Sequence, residues 1–211
     1  RRVAEFSTVT GTHSIEFYGL PATGQQIEYQ TARLFTVHNE QIVHEYRQWA
    51  MCGLPRPKGQ FKLYAVEGGT AAMCYIFKSM KTNRLLNAGD TIALGTPIFT
   101  PYLEMPHLED YDLKIVNIQA TQENRWQFDD AELDKLLDPK IKAFFLVNPG
   151  NPSAVALSAK TIAKIGAIIK KRPDLILLTD DVYGTFVPGF RSLMGAFPYN
   201  TIGVYSYSKY F

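Results

Sequence analysis

The chain has 211 residues, 46% of them hydrophobic and 20% charged, with a formal net charge of +2. That length can bury one large core or a domain plus an extension, and the composition is that of an ordinary soluble globular protein. No basic stripe or block of like charge points to a nucleic-acid or membrane-surface partner, and no apolar run reaches the roughly 20 residues of a membrane span. Residues 1 to about 28 are polar and rich in Thr and Gly, and read as a loop or arm. From Thr31 to Met51, the apolar and aromatic residues Leu34, Val37, His38, Ile42, Tyr46 and Trp49 recur at spacings near three to four, which predicts an amphipathic helix. His38 on that face reads as a packed or capped histidine, because no second His or Cys stands at metal-ligand spacing, and no metal is expected. Cys52-Gly53-Leu54-Pro55 ends the helix, and 53–59 reads as a loop with two prolines. Residues 1–59 are therefore expected to form an N-terminal arm and helix, and 60–211 a separate domain. The two cysteines, Cys52 and Cys74, read as free thiols of a reducing, cytoplasmic compartment.

From Phe61 onward the chain alternates. Strands are predicted at Leu63–Val66, Thr91–Leu94, Leu113–Ile118, Ala143–Val147, Leu175–Leu178 and Ile202–Tyr205. Helices are predicted at Gly69–Lys81, with Ala72, Tyr75, Ile76 and Met80 as its apolar face, and at Pro101–Leu108, Asp129–Leu137 and Ser158–Lys171. Asp129 with Glu132 three residues on resembles a capping box, and Ser158 is the expected N-cap of the last helix. Strands apolar throughout and separated by helices argue for an α/β fold of three layers, α/β/α, with a mostly parallel sheet covered on both faces. In such sheets ligands collect at the carboxyl ends of the strands, so unusual residues should fall just after strands.

They do. After Val66 comes Glu67-Gly68-Gly69-Thr70-Ala71, running directly into a helix, where paired glycines admit a ligand and the helix N-terminus favours an anion. After Leu94 comes Gly95-Thr96-Pro97-Ile98-Phe99, whose aromatic can stack on a flat ring. After Val147 comes Asn148-Pro149-Gly150-Asn151-Pro152-Ser153-Ala154, a rigid loop offering the Asn151 amide. After Leu178 comes Thr179-Asp180-Asp181-Val182-Tyr183. A carboxylate there is costly unless paired or hydrogen-bonded; Asp180 and Tyr183 are expected to share a cavity, with Asp181 structural. Last comes Tyr205-Ser206-Tyr207-Ser208-Lys209, a lysine after a buried strand, where partial desolvation would free its amine as a nucleophile. An anion cradle, a stacking aromatic, an amide donor, a buried acid with a phenol, and a lysine complement pyridoxal 5′-phosphate (PLP).

The order Gly-Gly-Thr, Asn-Pro-x-Asn-Pro, Asp-Asp-Val-Tyr, Ser-x-Ser-Lys resembles the large domain of the aspartate aminotransferase superfamily, the fold-type I PLP enzymes. Residues 65–73, 178–186 and 205–211 are similar to the aspartate 4-decarboxylases within it, also described as bifunctional aspartate aminotransferases. The resemblance implies Lys209 as Schiff-base lysine and proton carrier, and Asp180 as partner of the pyridine nitrogen. It implies Tyr183 and Asn151 at the ring oxygen, Gly68, Gly69, Thr70 and Ser206 around the phosphate, and Phe99 stacked on the ring. It also implies cis peptides before Pro97, Pro152 or both, a homodimer or larger homo-oligomer, and L-aspartate or a similar amino acid as substrate. Ser153-Ala154 departs from the family's usual Thr-Gly. The family's phosphate-binding and substrate-binding arginines would lie beyond Phe211, so the chain reads as an internal piece of a longer protein. The reaction implied is β-decarboxylation of aspartate to alanine and CO2. The alternatives are an aminotransferase without decarboxylation, or a noncatalytic PLP-binding or oligomerisation fragment.

Overall fold

The computed structural model describes residues 2–12, 14, 24, 26–38, 41–49 and 64–209. The chain divides into two compact units, Arg1–Gly68 and Gly69–Phe211.

In the first unit β1 (Arg2–Thr12), β2 (Gln26–His38) and β3 (Gln41–Trp49) form an antiparallel sheet in the order β1-β2-β3. Val3 lies opposite Phe35 and Leu34 opposite Tyr46, with one irregularity between Thr36 and Val37. Where residues are described, these strands replace the arm expected over residues 1–28 and the helix expected over Thr31–Met51. Of the residues whose spacing suggested a helix, Val37, Ile42, Tyr46 and Trp49 also favour strands, as do Thr31, Phe35, Thr36 and Val43 around them: all are β-branched or aromatic. A central strand with a partner on each side satisfies its backbone without a helix. The predicted helix stop at Cys52–Pro55 and the loop 53–59 lie outside the described residues. Tyr64–Val66, expected to be extended, is irregular, and Tyr64 is exposed; a short apolar run with no strand to pair against has no ladder to hold it.

The second unit opens with α1 (Gly69–Thr82), followed by β4 (Thr91–Thr96) and α2 (Pro101–Glu104), which tightens into a 3-10 turn at Met105–His107. Then come β5 (Lys114–Gln119), α3 (Asp130–Asp134) with a 3-10 turn at Lys135–Leu137, β6 (Ile141–Val147), α4 (Ala159–Lys171) and β7 (Ile176–Asp180). A 3-10 turn at Gly184–Phe186, α5 (Leu193–Ala196), β8 (Thr201–Val204) and a final 3-10 turn at Tyr207–Lys209 complete it. The five strands are all parallel, in the order β5-β4-β6-β7-β8. The expected parallel α/β architecture is present.

Alternation along the strands sorts the core into two clusters. Ile92, Leu94, Phe145, Val147 and Leu178 pack with Met73, Phe77 and Met80 of α1 and with Tyr102 of α2. Ala93, Phe144, Leu146 and Leu177 pack with Leu133 and Leu136, with Ile165, Ile168 and Ile169 of α4, and with Leu193. Both faces of the sheet are therefore covered, which is what uninterrupted apolar strands require. On α1 the buried stripe is Met73, Phe77 and Met80, while Tyr75 is half exposed. This is one residue round from the predicted face, because the larger Phe77 and Met73 offer more apolar area to bury than Ala72 and Ile76 at the margin.

Two cap predictions divide. The Ser158 side chain accepts from the Thr161 N–H at 3.1 Å and caps α4 as expected. Asp129 is extended at the start of α3 but makes no side-chain cap. Its carboxylate accepts from Asn124 Nδ2 at 2.6 Å, and Glu132 accepts the Gln119 N–H at 2.7 Å and pairs with Lys135. Stronger tertiary donors have drawn both carboxylates away from the helix end.

The chain runs from β4 to β5 on one side and then returns to β6 on the other side of β4. Such a reversal opens a crevice at the carboxyl ends of the two strands.

Candidate active site

Gly68, just before α1, has φ 129°, a conformation that side chains rarely adopt. At Gly69 a Cβ would lie 3.7 Å from Ser206 Cβ and 3.7 Å from Val182 Cγ1. The first turn of α1 therefore stands beside the segments that follow β7 and β8. That turn carries no acidic residue, and Thr70 is exposed. The Ser206 hydroxyl lies 2.8 Å from that of Ser208 and accepts the Ser208 N–H at 3.3 Å. Free helix N–H groups and hydroxyls at one point suit an anion.

Asp180 ends β7 and is buried. Its Oδ2 accepts from the Tyr102 hydroxyl at 3.0 Å and its Oδ1 from the Val182 N–H at 3.2 Å. Burial pushes its pKa up from the carboxylate range, while these two donors and the nearby Lys209 ammonium pull it down. The partners demanded of a carboxylate at an apolar strand end are present.

Asp181, also buried, accepts from the Thr179 hydroxyl at 2.6 Å, and its N–H donates to the Val204 carbonyl at 2.8 Å, a structural role as expected. Burial pushes it up to about 7, opposed by hydrogen bonds from Ser192 and Thr179 and aided by the charge of Asp180. A carboxyl held above its unfolded pKa binds its proton more tightly when folded, so its stabilisation is full in acid and is lost as pH rises through about 7. Urea unfolding should therefore show stability falling between about pH 4.5 and 7.5, and Asp181→Asn should flatten that fall. An unchanged slope in the variant would remove Asp181 as its source.

The loop after β6 carries Asn148, buried, whose Oδ1 accepts the Leu157 N–H at 2.9 Å and whose own N–H donates to the Asp180 carbonyl at 2.8 Å. Asn151 Nδ2 donates to the Tyr183 hydroxyl at 3.3 Å, so these two are brought together. The peptides before Pro97, Pro149 and Pro152 are cis. Ala154 has φ 57°, the left-handed conformation that glycine adopts freely, so the loop keeps a glycine-like turn without the glycine.

Phe99, just beyond β4, is 36% exposed and meets Tyr102 edge to face, with centroids 6.4 Å apart and planes at 68°. Its free surface is available to a flat ring. Lys209 ends the last 3-10 turn and is exposed. The partial burial expected for it is not found among the described residues.

Residues 65–211 match the family model for aminotransferase class I and II. The chain belongs to the class I and II aminotransferase family. PLP is the cofactor of class I and II aminotransferases. A bifunctional aspartate aminotransferase and L-aspartate beta-decarboxylase from Pseudomonas sp is 53% identical over 180 residues, 85% of this chain and 34% of that protein. A probable aspartate/prephenate aminotransferase from Rhizobium leguminosarum bv. phaseoli is 30% identical over 115 residues, 54% of this chain and 28% of that protein. This aminotransferase chain thus spans about a third of the length of these relatives. Cystalysin from Treponema denticola, whose structure contains PLP, is similar in fold, with a TM-score of 0.56 and 22% identity over 67% of this chain and 37% of that one. Residues 1–56 match a second family model, SnoaL-like polyketide cyclase. The 180-residue alignment with the Pseudomonas relative is too long to fit beyond residue 56, so the two resemblances overlap.

Two residues hydrogen-bonded to Asp180 at the carboxyl ends of the strands are not singled out by the sequence. Tyr102 stands three residues after Phe99 but meets Asp180, 78 positions away, and its place on the predicted helix Pro101–Leu108 gave no sign of that contact. Asn148, the first asparagine of the repeated Asn-Pro pattern, ties its loop to the end of β7. Among the described residues no helix is long and apolar enough to cross a membrane.

Proposed function

We propose that this chain carries the cofactor-binding part, about residues 60–211, of an enzyme that converts L-aspartate to L-alanine and CO2, with an aspartate aminotransferase side activity. The observation that carries the reading is the approach of Gly69 to Ser206 and Val182, beside Asp180 at the carboxyl ends of the parallel strands. The choice of aspartate is supported by the 53% identity with the bifunctional Pseudomonas relative.

The donor set suits PLP: a helix N-terminus with hydroxyls for a phosphate, an aromatic face for a ring, a buried acid for a ring nitrogen, and an exposed amine. When bound, PLP supplies an aldehyde carbon that captures amines and a ring that takes up electron density. Gly68, Gly69, Thr70 and Ser206 hold the phosphate through N–H and O–H donors. Phe99 covers one face of the ring. Asp180 holds a proton on the pyridine nitrogen, which is why its donors and the Lys209 charge must keep it ionised despite burial. Asn151 and Tyr183, already hydrogen-bonded to each other, orient the ring oxygen. Lys209 Nζ would be the amine that holds the cofactor's aldehyde end, and as a free amine it would take the proton from the substrate Cα. The protein acts as a homodimer or larger homo-oligomer.

A second reading, an aminotransferase without decarboxylation, is favoured by the Rhizobium relative. The intact protein, loaded with PLP and given aspartate with no keto acid, separates them. Sustained release of CO2 and alanine is expected. A single stoichiometric release of oxaloacetate without CO2 would favour the second reading, and no borohydride-trapped PLP at Lys209 would favour a noncatalytic binding role.

A further inference from the structure

We propose that Tyr102 is a positioning residue for the cofactor ring: its hydroxyl, 3.0 Å from Asp180 Oδ2, holds that acid as an oriented carboxylate, while its ring backs Phe99. The inference rests on the assignment of Asp180 and Phe99 to the ring.

Tyr102 is 1% exposed and belongs to the core cluster on the α1 side of the sheet. A phenol so deeply buried needs a partner for its hydroxyl, and the short helix α2 aims it at the end of β7. Asp180 is itself buried, and leaving a carboxylate there with one donor fewer would favour its protonation. A protonated Asp180 could not hold a proton on the ring nitrogen. The phenol is a dependable donor, because burial and the Asp180 charge push its own ionisation far above any working pH. The other charged groups acting on Asp180 are Lys209, from the turn after β8, and Asp181, next on its own strand. Lys209 is exposed and screened, and Asp181 is turned to Thr179. That leaves Tyr102 as the buried side-chain donor.

The second contact comes from the same residue. Phe99 and Tyr102 lie on one short stretch beyond β4, at the point where the strand order reverses. The edge-to-face packing fixes the angle of Phe99 against a ring that the helix holds in place. One side chain therefore supports two separate contacts to the cofactor, at its nitrogen edge and on its face.

Two substitutions divide the roles. Tyr102→Phe keeps the ring and removes the donor; Tyr102→Gln keeps a donor and removes the ring. In the intact protein without PLP, carboxyl carbon NMR of Asp180 should show its midpoint rising by about one pH unit or more in Y102F, the size expected for losing a hydrogen bond to a charged group. In Y102Q the midpoint should stay nearer to that of the parent. PLP affinity should fall by about ten-fold or more in Y102F, and the acid limb of the pH–rate profile should move to higher pH with it. A midpoint and affinity unchanged in Y102F, or a midpoint shifted equally in both variants, would overturn the proposal. If Y102F does not fold, a Y102Q midpoint displaced as far as one unit would overturn it alone. Failure of borohydride to trap PLP on Lys209 in the parent would sink the cofactor assignment instead, and the Asp180 titration reads the hydrogen bond independently of that.

Discussion

Replacing Lys209 by alanine in the intact protein should lower turnover by about four orders of magnitude or more, since on the proposed function one side chain would supply both covalent attachment and proton transfer. Lys209 closes the 3-10 turn that follows β8, where its charge reaches Asp180, and its exposed amine leaves room for an incoming substrate amine. The exposure also predicts that the variant folds normally, with stability within about 0.5 kcal/mol of the parent. Steady-state kinetics, urea unfolding and borohydride reduction check the three parts together. The variant should bind PLP without becoming covalently labelled. Retention of more than about a tenth of the parent turnover would show that the proton at Cα is moved by another group.

The largest effect on stability should come from Arg172, which follows α4. Its guanidinium is buried and donates to the carbonyls of Leu136 and Ile141, each at 2.9 Å, and to that of Asp138. It also pairs with Asp174 at 2.7 Å, holding that carboxyl below the usual carboxylate range. One side chain thus closes the exit of α4, the end of the 3-10 turn after α3, and the entry to β6. Arg172→Leu removes a donor from each of three carbonyls, of which that of Asp138 keeps the Ile141 N–H at 3.1 Å, and should destabilise the protein by about 3–5 kcal/mol. Arg172→Lys should recover little, because an ammonium cannot reproduce the planar fork. Asp174→Ala should cost about 1 kcal/mol or less, since that carboxyl is largely exposed. Urea denaturation of the three variants measures this order; a loss below about 1 kcal/mol for Arg172→Leu would contradict it.

The parallel sheet was legible because its inner strands β4, β6 and β7 are short apolar runs buried on both faces, and burial on both faces is what removes polar residues from a sequence; the edge strand β5 keeps Lys114, Asn117 and Gln119. The same logic located Asp180, an acid where the apolar run demands none. It failed for residues 31–51. There Leu34 and Tyr46, twelve apart, fit a helix face as well as a cross-strand pair, and only the pairing of β2 with β1 and β3 decides between them. Glu132 fits a capping box by spacing, but the Gln119 N–H that draws it away belongs to another element. Arg172 follows Lys170 and Lys171 and reads in sequence as one more surface cation; its partners are carbonyls more than 30 positions away, and carbonyls leave no mark on a sequence. Tyr102 was hidden because its partner, Asp180, lies 78 positions away on another element. What a sequence shows locally is polarity and period; who meets whom across the sheet is fixed by the order of strands.

The approach of Gly69 to Ser206 has a consequence for biosynthesis. Gly69, of the proposed anion cradle, is translated before Ser206, with four of the five strands of the parallel sheet made between α1 and β8. Such distant pairing has a high loop-closure cost and forms slowly. A ribosome-bound chain that has not yet released β8 can hold sheet strands and helices, but it has no closed phosphate site. Cofactor capture should therefore come after this unit has folded, and PLP should stabilise the finished sheet rather than template it.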